Sequence, residues 1–238
     1  MLEAIGKTDT GKVRSSNQDA FRIFPQLGLY LLADGMGGAR GGERASNYAV
    51  DSVEDALRRV SHRDASALTA AVEEANARVF AEATADPRLE GMGTTLVAVL
   101  EAGPEDLAIV SVGDSRAYVL SAGRLRAITE DQTWVQEVGR PLGLDEASLR
   151  THPMRHVLTM AVGVGTALRY RYYSVPLKPG ETMLLSSDGL HGVVSVGDME
   201  RILGEAGTLE DKCADLIAAA HAKGSPDNVT VVLLRRLP

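Results

Sequence analysis

The chain has 238 residues, 45% hydrophobic, 24% charged and 4% aromatic, with a formal net charge of −7. This is the make-up of a soluble globular protein with a substantial core; the acidic balance and scarce aromatics exclude non-specific nucleic-acid binding and base-stacking surfaces. The single cysteine, Cys213, excludes an internal disulfide or thiolate cluster, and no apolar run reaches the roughly 18 residues of a membrane span.

In chain order, residues 3–9 read as a short first segment, followed by a polar loop that carries Arg14 and Asp19. A strand at 20–24 stops at Pro25, and a buried strand at 29–33 ends on Asp34, with Gly35, Gly37 and Gly38 following. A helix is predicted from Gly42, with Ala45, Ala49, Val53, Ala56, Leu57 and Val60 on one stripe. A second helix at 65–84 turns Leu68, Ala71, Val72, Ala75 and Val79 inward. The 61–64 connection is short enough to make the pair antiparallel, and Pro87 ends the helical region.

The period then changes to strands at 93–100 and 106–112, the latter running into Asp114, and a hairpin at 117–120 and 125–128. From 129 to 166 no strong period survives. A short helix fits 133–138, and Pro141, Gly143 and Pro153 break up the rest. Such a stretch inside a domain reads as a lid or binding insertion. His152 and His156 within it read as structural or surface residues, because ligand partners at suitable spacing are lacking. Strands at 168–175 and 181–187 follow, the second ending at Asp188 and Gly189. Helices at 196–205 and 209–222, a tight turn at 224–228 and a strand at 229–234 complete the chain. The order predicts an α+β fold, with antiparallel sheets inside and helix pairs outside.

An isolated Asp-Gly is a turn signal. Here Asp34, Asp114, Asp188 and Asp227 all sit at ends of apolar strands. Carboxylates gathered at one sheet edge repel each other unless their pKa values rise or cations bind. All-oxygen ligands suit Mg²⁺ or Mn²⁺, and the lack of clustered Cys or His disfavours zinc. Two such ions about 3.5–4 Å apart can activate a water for in-line displacement at phosphorus.

Six segments occur in order: Val13 to Asp19 (VRSSNQD), Ala33 to Gly38 (ADGMGG), Met92 to Thr95 (MGTT), Val112 to Tyr118 (VGDSRAY), Ser187 to Leu190 (SDGL) and Asp227 to Thr230 (DNVT). Together they closely resemble the bacterial PP2C-like, metal-dependent serine/threonine protein phosphatases. The resemblance covers the chain from Ile5 to Leu234 and implies one catalytic domain over 1–238, a four-layer αββα sandwich of two antiparallel sheets flanked by helix pairs. The insertion at about 129–166 falls at the family's flap. By resemblance, Asp34 bridges two Mn²⁺ or Mg²⁺ ions with the Gly35 carbonyl on one of them. Asp188 and Asp227 complete that site, and Asp19 ligates directly or through water. Asp114, with Asp188, matches a third, weaker metal site. Arg14 matches the phosphate-holding arginine, and Asn228 a residue that orients the site from behind.

The resemblance further implies hydrolysis of phosphoserine and phosphothreonine in phosphoproteins made by bacterial serine/threonine kinases; a monomer is expected, and the acidic charge and the lack of an apolar span speak against nucleic-acid partners and membrane insertion. A cytoplasmic location is expected, since the first residues lack a leader pattern. Gln18 stands where some members carry glutamate, and neither Met36 nor Ala39 is the histidine that relatives carry at one or other position. A water in the metal shell then becomes the expected proton donor, with Arg40 a weaker candidate. Two other readings compete. The glycines after Asp34 could cradle a nucleotide, but Arg40 stands where a dinucleotide fingerprint needs its last glycine, and no P-loop lysine follows. A catalytically idle relative, binding phosphoproteins as a regulatory module, is the main alternative to the enzyme.

Overall fold

Two-residue alternation of apolar side chains builds two antiparallel sheets, each apolar on both faces. The computed structural model describes residues 2–237, with the side chains of 38–40 outside the description, so Arg40 and Ala39 are not considered further. One sheet runs in the order β1 (Leu2–Asp9), β11 (Val229–Arg236), β10 (Thr182–Ser186), β7 (Arg116–Ser121), β8 (Arg124–Ala127). The other runs β2 (Asp19–Phe24), β3 (Leu29–Met36), β5 (Leu96–Glu101), β6 (Asp106–Val112), β9 (Arg171–Pro176), with the two-residue β4 (Gly93–Thr94) on the end of β3.

Three apolar layers follow from this pattern. Between the sheets lie Tyr30, Leu32, Val97, Val99, Met183, Leu185, Val232 and Leu234, all buried. Their neighbours one residue away face outward. Leu29, Leu31, Ala33 and Ala98 pack under α1 (Gly38–Arg58) and α2 (Ala65–Ala85). Leu184, Val229, Val231 and Leu233 pack under α5 (Val196–Gly204) and α6 (Leu209–Ala222). The antiparallel sheets and outer helix pairs agree with the sequence reading. Among the described residues no helix is long and apolar enough to cross a membrane.

Side chains fix the helix starts. Asp64 accepts from Ala67 N–H at 2.9 Å ahead of α2, and Thr208 with Asp211 forms a reciprocal capping box on α6. The first helix departs from expectation by beginning at Gly38 rather than Gly42. A Cβ on Gly42 would lie 2.7 Å from Gln18 Oε1 and 2.8 Å from the Gly35 carbonyl oxygen, so glycines let its first turn press against β3.

The predicted strand at 93–100 is interrupted at Thr95, whose N–H donates to the Asp34 carbonyl at 2.8 Å. The strand predicted from 168 starts at Arg171, because the Arg169 carbonyl accepts from Gln132 Nε2 at 2.7 Å instead. Pro87 opens a single 3₁₀ turn, Pro87–Leu89, rather than simply ending the helix. The insertion folds into a π-helical turn, Val135–Gly139, and a short α3 (Glu146–Thr151), and α4 (Asp188–His191) caps β10; α3 and α4 carry no sequence period.

If the inter-sheet layer carries the stability, Leu234→Ala should lower the unfolding free energy by about 2–5 kcal/mol in urea titrations, whereas Leu142→Ala, 69% exposed, should change it little.

Candidate active site

At one end of the sandwich the inter-sheet layer turns polar without changing register. Two residues beyond Phe21 the same face of β2 carries Asp19, and beyond Leu32 β3 carries Asp34. By the same step Val97 leads to Thr95, Ala117 to Ser115, Leu185 to Ser187 and Val232 to Thr230. These side chains interlock. Thr95 Oγ1 and Ser115 Oγ are 2.7 Å apart, and Ser187 Oγ and Thr230 Oγ1 donate to Asp19 Oδ2 at 2.7 and 2.6 Å.

Asp19 Oδ1 is buried with no partner. Burial, with Asp188 and Asp227 adding to it, pushes the Asp19 carboxyl up to about 6 against the pull of its two hydroxyl donors. Asp34 pairs with Asp19 across the β2–β3 ladder. Its N–H donates to Thr95 Oγ1 at 2.9 Å, and its carbonyl accepts from Thr94 Oγ1 at 2.9 Å and Thr95 N–H at 2.8 Å. Burial, then Asp19 and Asp188, hold its carboxyl well above the ordinary range.

Asp188 opens α4 within hydrogen-bond reach of Asp34, and its own Oδ1 is buried without a partner. Gly189 is required at this corner, since a Cβ there would stand 1.8 Å from the Asn228 carbonyl oxygen. Asp114, in the bend after β6, is pushed up to about 7 by burial and by Asp188 and Asp131. On the opposite wall, Asp227 Oδ2 accepts from Arg14 Nη2 at 2.7 Å. Asn228 binds three backbone groups: its Nδ2 donates to the Thr10 and Ser16 carbonyls at 2.8 and 3.0 Å, and its Oδ1 accepts from Gln18 N–H at 2.9 Å. The loop bearing Arg14 is thereby tied to the turn bearing Asp227.

Arg14, Asp34, Gly35, Asp114, Asp188 and Asp227 all line one cleft of about 980 Å³, whereas Asp19 and Asn228 lie just behind it. His156 also lines this cleft, although its sequence context marked it as structural or surface. Its position depends on how the insertion folds back, which no local pattern encodes. The hydroxyls behind the carboxylates were also passed over, although Thr95, Ser187 and Thr230 all continue the strand alternation.

The donor set fits hard cations. It consists of carboxylates and a strand-end backbone carbonyl, with two buried carboxylate oxygens lacking any partner. Among the described residues no three His, Cys, Asp or Glu side chains close around an ion on their own.

The family described as Protein phosphatase 2C matches residues 10–224. The chain belongs to the protein phosphatase 2C family. The serine/threonine phosphatase stp of Listeria monocytogenes is 35% identical over 99% of this chain and 96% of its own length. The crystal structure of the serine/threonine phosphatase PstP from Mycobacterium tuberculosis has a TM-score of 0.90 at 34% identity, covering 100% of this chain and 99% of that one. The PstP catalytic domain solved with two manganese ions gives a TM-score of 0.86 at 34% identity, again covering 100% and 99%. Like these relatives, this protein phosphatase 2C member is an enzyme of the serine/threonine phosphatase class.

The raised carboxyls make a stability prediction for metal-free protein. Groups with raised folded-state pKa stabilise below their unfolded value of 3.8 and lose that contribution as pH rises through about 6 for Asp19 and about 7 for Asp114. Melting temperature in chelator should therefore fall between about pH 4 and about pH 7, and Mn²⁺ should reverse the fall. A melting temperature that climbs with pH over this window contradicts the buried-carboxyl account.

Proposed function

We propose that the chain hydrolyses phosphoserine and phosphothreonine in proteins using a pair of Mn²⁺ or Mg²⁺ ions, reversing serine/threonine kinases in the cytoplasm. The whole span 1–238 acts as one catalytic domain, with 129–166 as its flap. The observation that carries this reading is the convergence of Asp34, Asp114, Asp188 and Asp227 on one cleft with Arg14 at its mouth and buried Asp19 behind them, with one oxygen each of Asp19 and Asp188 unpartnered. The manganese pair in the PstP catalytic domain supports the same assignment.

Asp34 and the Gly35 carbonyl, with Asp188 and Asp227, would hold the ion pair. Asp19 would assist directly or through water, and Asp114 with Asp188 would take a third, weaker ion. When bound, the metals supply an activated water and offset phosphate charge. The chain's own residues then bind and orient. Arg14 offers a planar fork that matches two phosphate oxygens, and Asp227 keeps that guanidinium at the cleft mouth. Asn228 fixes the first loop so that Arg14 and Asp19 keep their places relative to Asp227. The hydroxyls of Ser187 and Thr230 hold one oxygen of Asp19 and leave the other free.

Phosphate release from a phosphothreonine peptide tests this. Turnover should require Mn²⁺ or Mg²⁺, stop in excess chelator and vanish in Asp34→Ala. Activity that survives chelation sinks the metal mechanism. Calorimetric Mn²⁺ binding without turnover by wild type would favour the regulatory module. Arg14→Ala should lower kcat/KM by about 10–100-fold, mainly through KM, because a charge-assisted pair to phosphate is lost.

A further inference from the structure

We infer that His156 donates the proton to the departing serine or threonine oxygen, an inference that rests on the phosphatase reading above. An alkoxide is too basic to leave readily without a proton, and general acids supply it from within hydrogen-bond reach. Among the described residues the titratable side chains lining the cleft are Arg14, Asp34, Asp114, Asp188, Asp227 and His156. A guanidinium does not give up its proton. Carboxyls that hold cations have no proton to give. The imidazole is left, and its chemistry suits proton transfer near neutral pH.

The turn that presents His156 is held in place from both sides. Gln132, buried, donates from its N–H to the Gly113 carbonyl at 2.9 Å and accepts from Gly113 N–H at 2.9 Å, which fastens the insertion beside Asp114. A short ladder continues outward, with Thr159 N–H donating to the Gln132 carbonyl at 2.9 Å and Trp134 N–H to the Val157 carbonyl at 2.8 Å. His152 stacks on Trp134 with ring centroids 4.0 Å apart, and its Nδ1 accepts from Met154 N–H at 3.2 Å. Arg155 N–H to the His152 carbonyl, 3.1 Å, and Val157 N–H to the Met154 carbonyl, 3.0 Å, close the turn.

His156 therefore precedes Val157, whose carbonyl accepts from Trp134 N–H, on a braced turn rather than a free loop. Among the described residues neither of its ring nitrogens has a partner, so a substrate can take one, whereas His152 is committed to Trp134 and the turn.

In the step assigned to it, the deprotonated attacking water bonds to phosphorus as the P–O bond to the side chain breaks. The electron pair passes to the serine or threonine oxygen, which takes the proton from the imidazolium. The free alcohol leaves, and the neutral imidazole regains its proton from solvent.

The test compares wild type and His156→Gln in saturating Mn²⁺ on a phosphothreonine peptide and on p-nitrophenyl phosphate, whose leaving group departs without protonation. On the peptide kcat should fall about 100-fold or more, and the loss on p-nitrophenyl phosphate should be at least about tenfold smaller. Melting temperature and calorimetric Mn²⁺ affinity should match wild type, as His156 is exposed. Equal losses on both substrates, no loss, a rise in KM alone, or a variant that loses fold or Mn²⁺ binding would each overturn the assignment. A wild type inactive on both substrates would instead overturn the phosphatase reading, which keeps the two failures distinct.

Discussion

Carboxyl groups drawn out of water beside one another cannot all be charged unless something positive lies between them. The inter-sheet layer imposes that condition here. The face of β3 that buries Tyr30 and Leu32 runs straight on into Asp34, and the face of β2 under Phe21 ends in Asp19. Apolar packing behind these positions removes water, and the hydroxyls of Ser187 and Thr230 satisfy only one oxygen of Asp19. The sandwich thus supplies the rigidity, and its polar end holds acids of which only Asp227 is paired with a cationic side chain, Arg14. Such local conflict between stability and chemistry is characteristic of functional sites.

Much of this architecture was legible in the sequence because it is carried by local periods. Alternation in β3, β10 and β11, and the three-and-four stripes of α1 and α2, follow directly from backbone geometry. Aspartates at strand ends could likewise be recognised, since the register that buries Leu32 also fixes where Asp34 emerges. What the sequence did not reveal rests on contacts between distant segments. The early start of α1 depends on Gly42 meeting Gly35 and Gln18, and no propensity encodes that approach. His156 belongs to an aperiodic stretch and reaches the cleft only because Gln132 pairs with Gly113. Arg14 was expected to face phosphate, and its pairing with Asp227 could not be foreseen from two positions so far apart in the chain.

The insertion combines two kinds of surface. Its feet are fixed by polar contacts. Glu137 binds Thr159 at 2.7 Å and pairs with Arg169 and Arg171, while buried Asn76 on α2 accepts from Gly163 N–H at 2.8 Å and donates to the Gly165 carbonyl at 2.9 Å. Its crown exposes Leu142, Met154 and Val157 alongside His156. A firm base with an exposed apolar rim places surface side chains beside the cleft without drawing on the packing of the sandwich.

Asn228 joins backbone groups 218 and 212 residues away, and Thr230 meets Asp19 across 211. Arg14 and Asp227 likewise meet at the cleft from positions 213 residues apart. During synthesis β1 leaves the ribosome long before β11, its partner in the sheet, has been made. The carboxylate site consequently cannot be complete before the segment bearing Asp227 has been made. Closing so long a loop makes this pairing slow relative to the local hairpins.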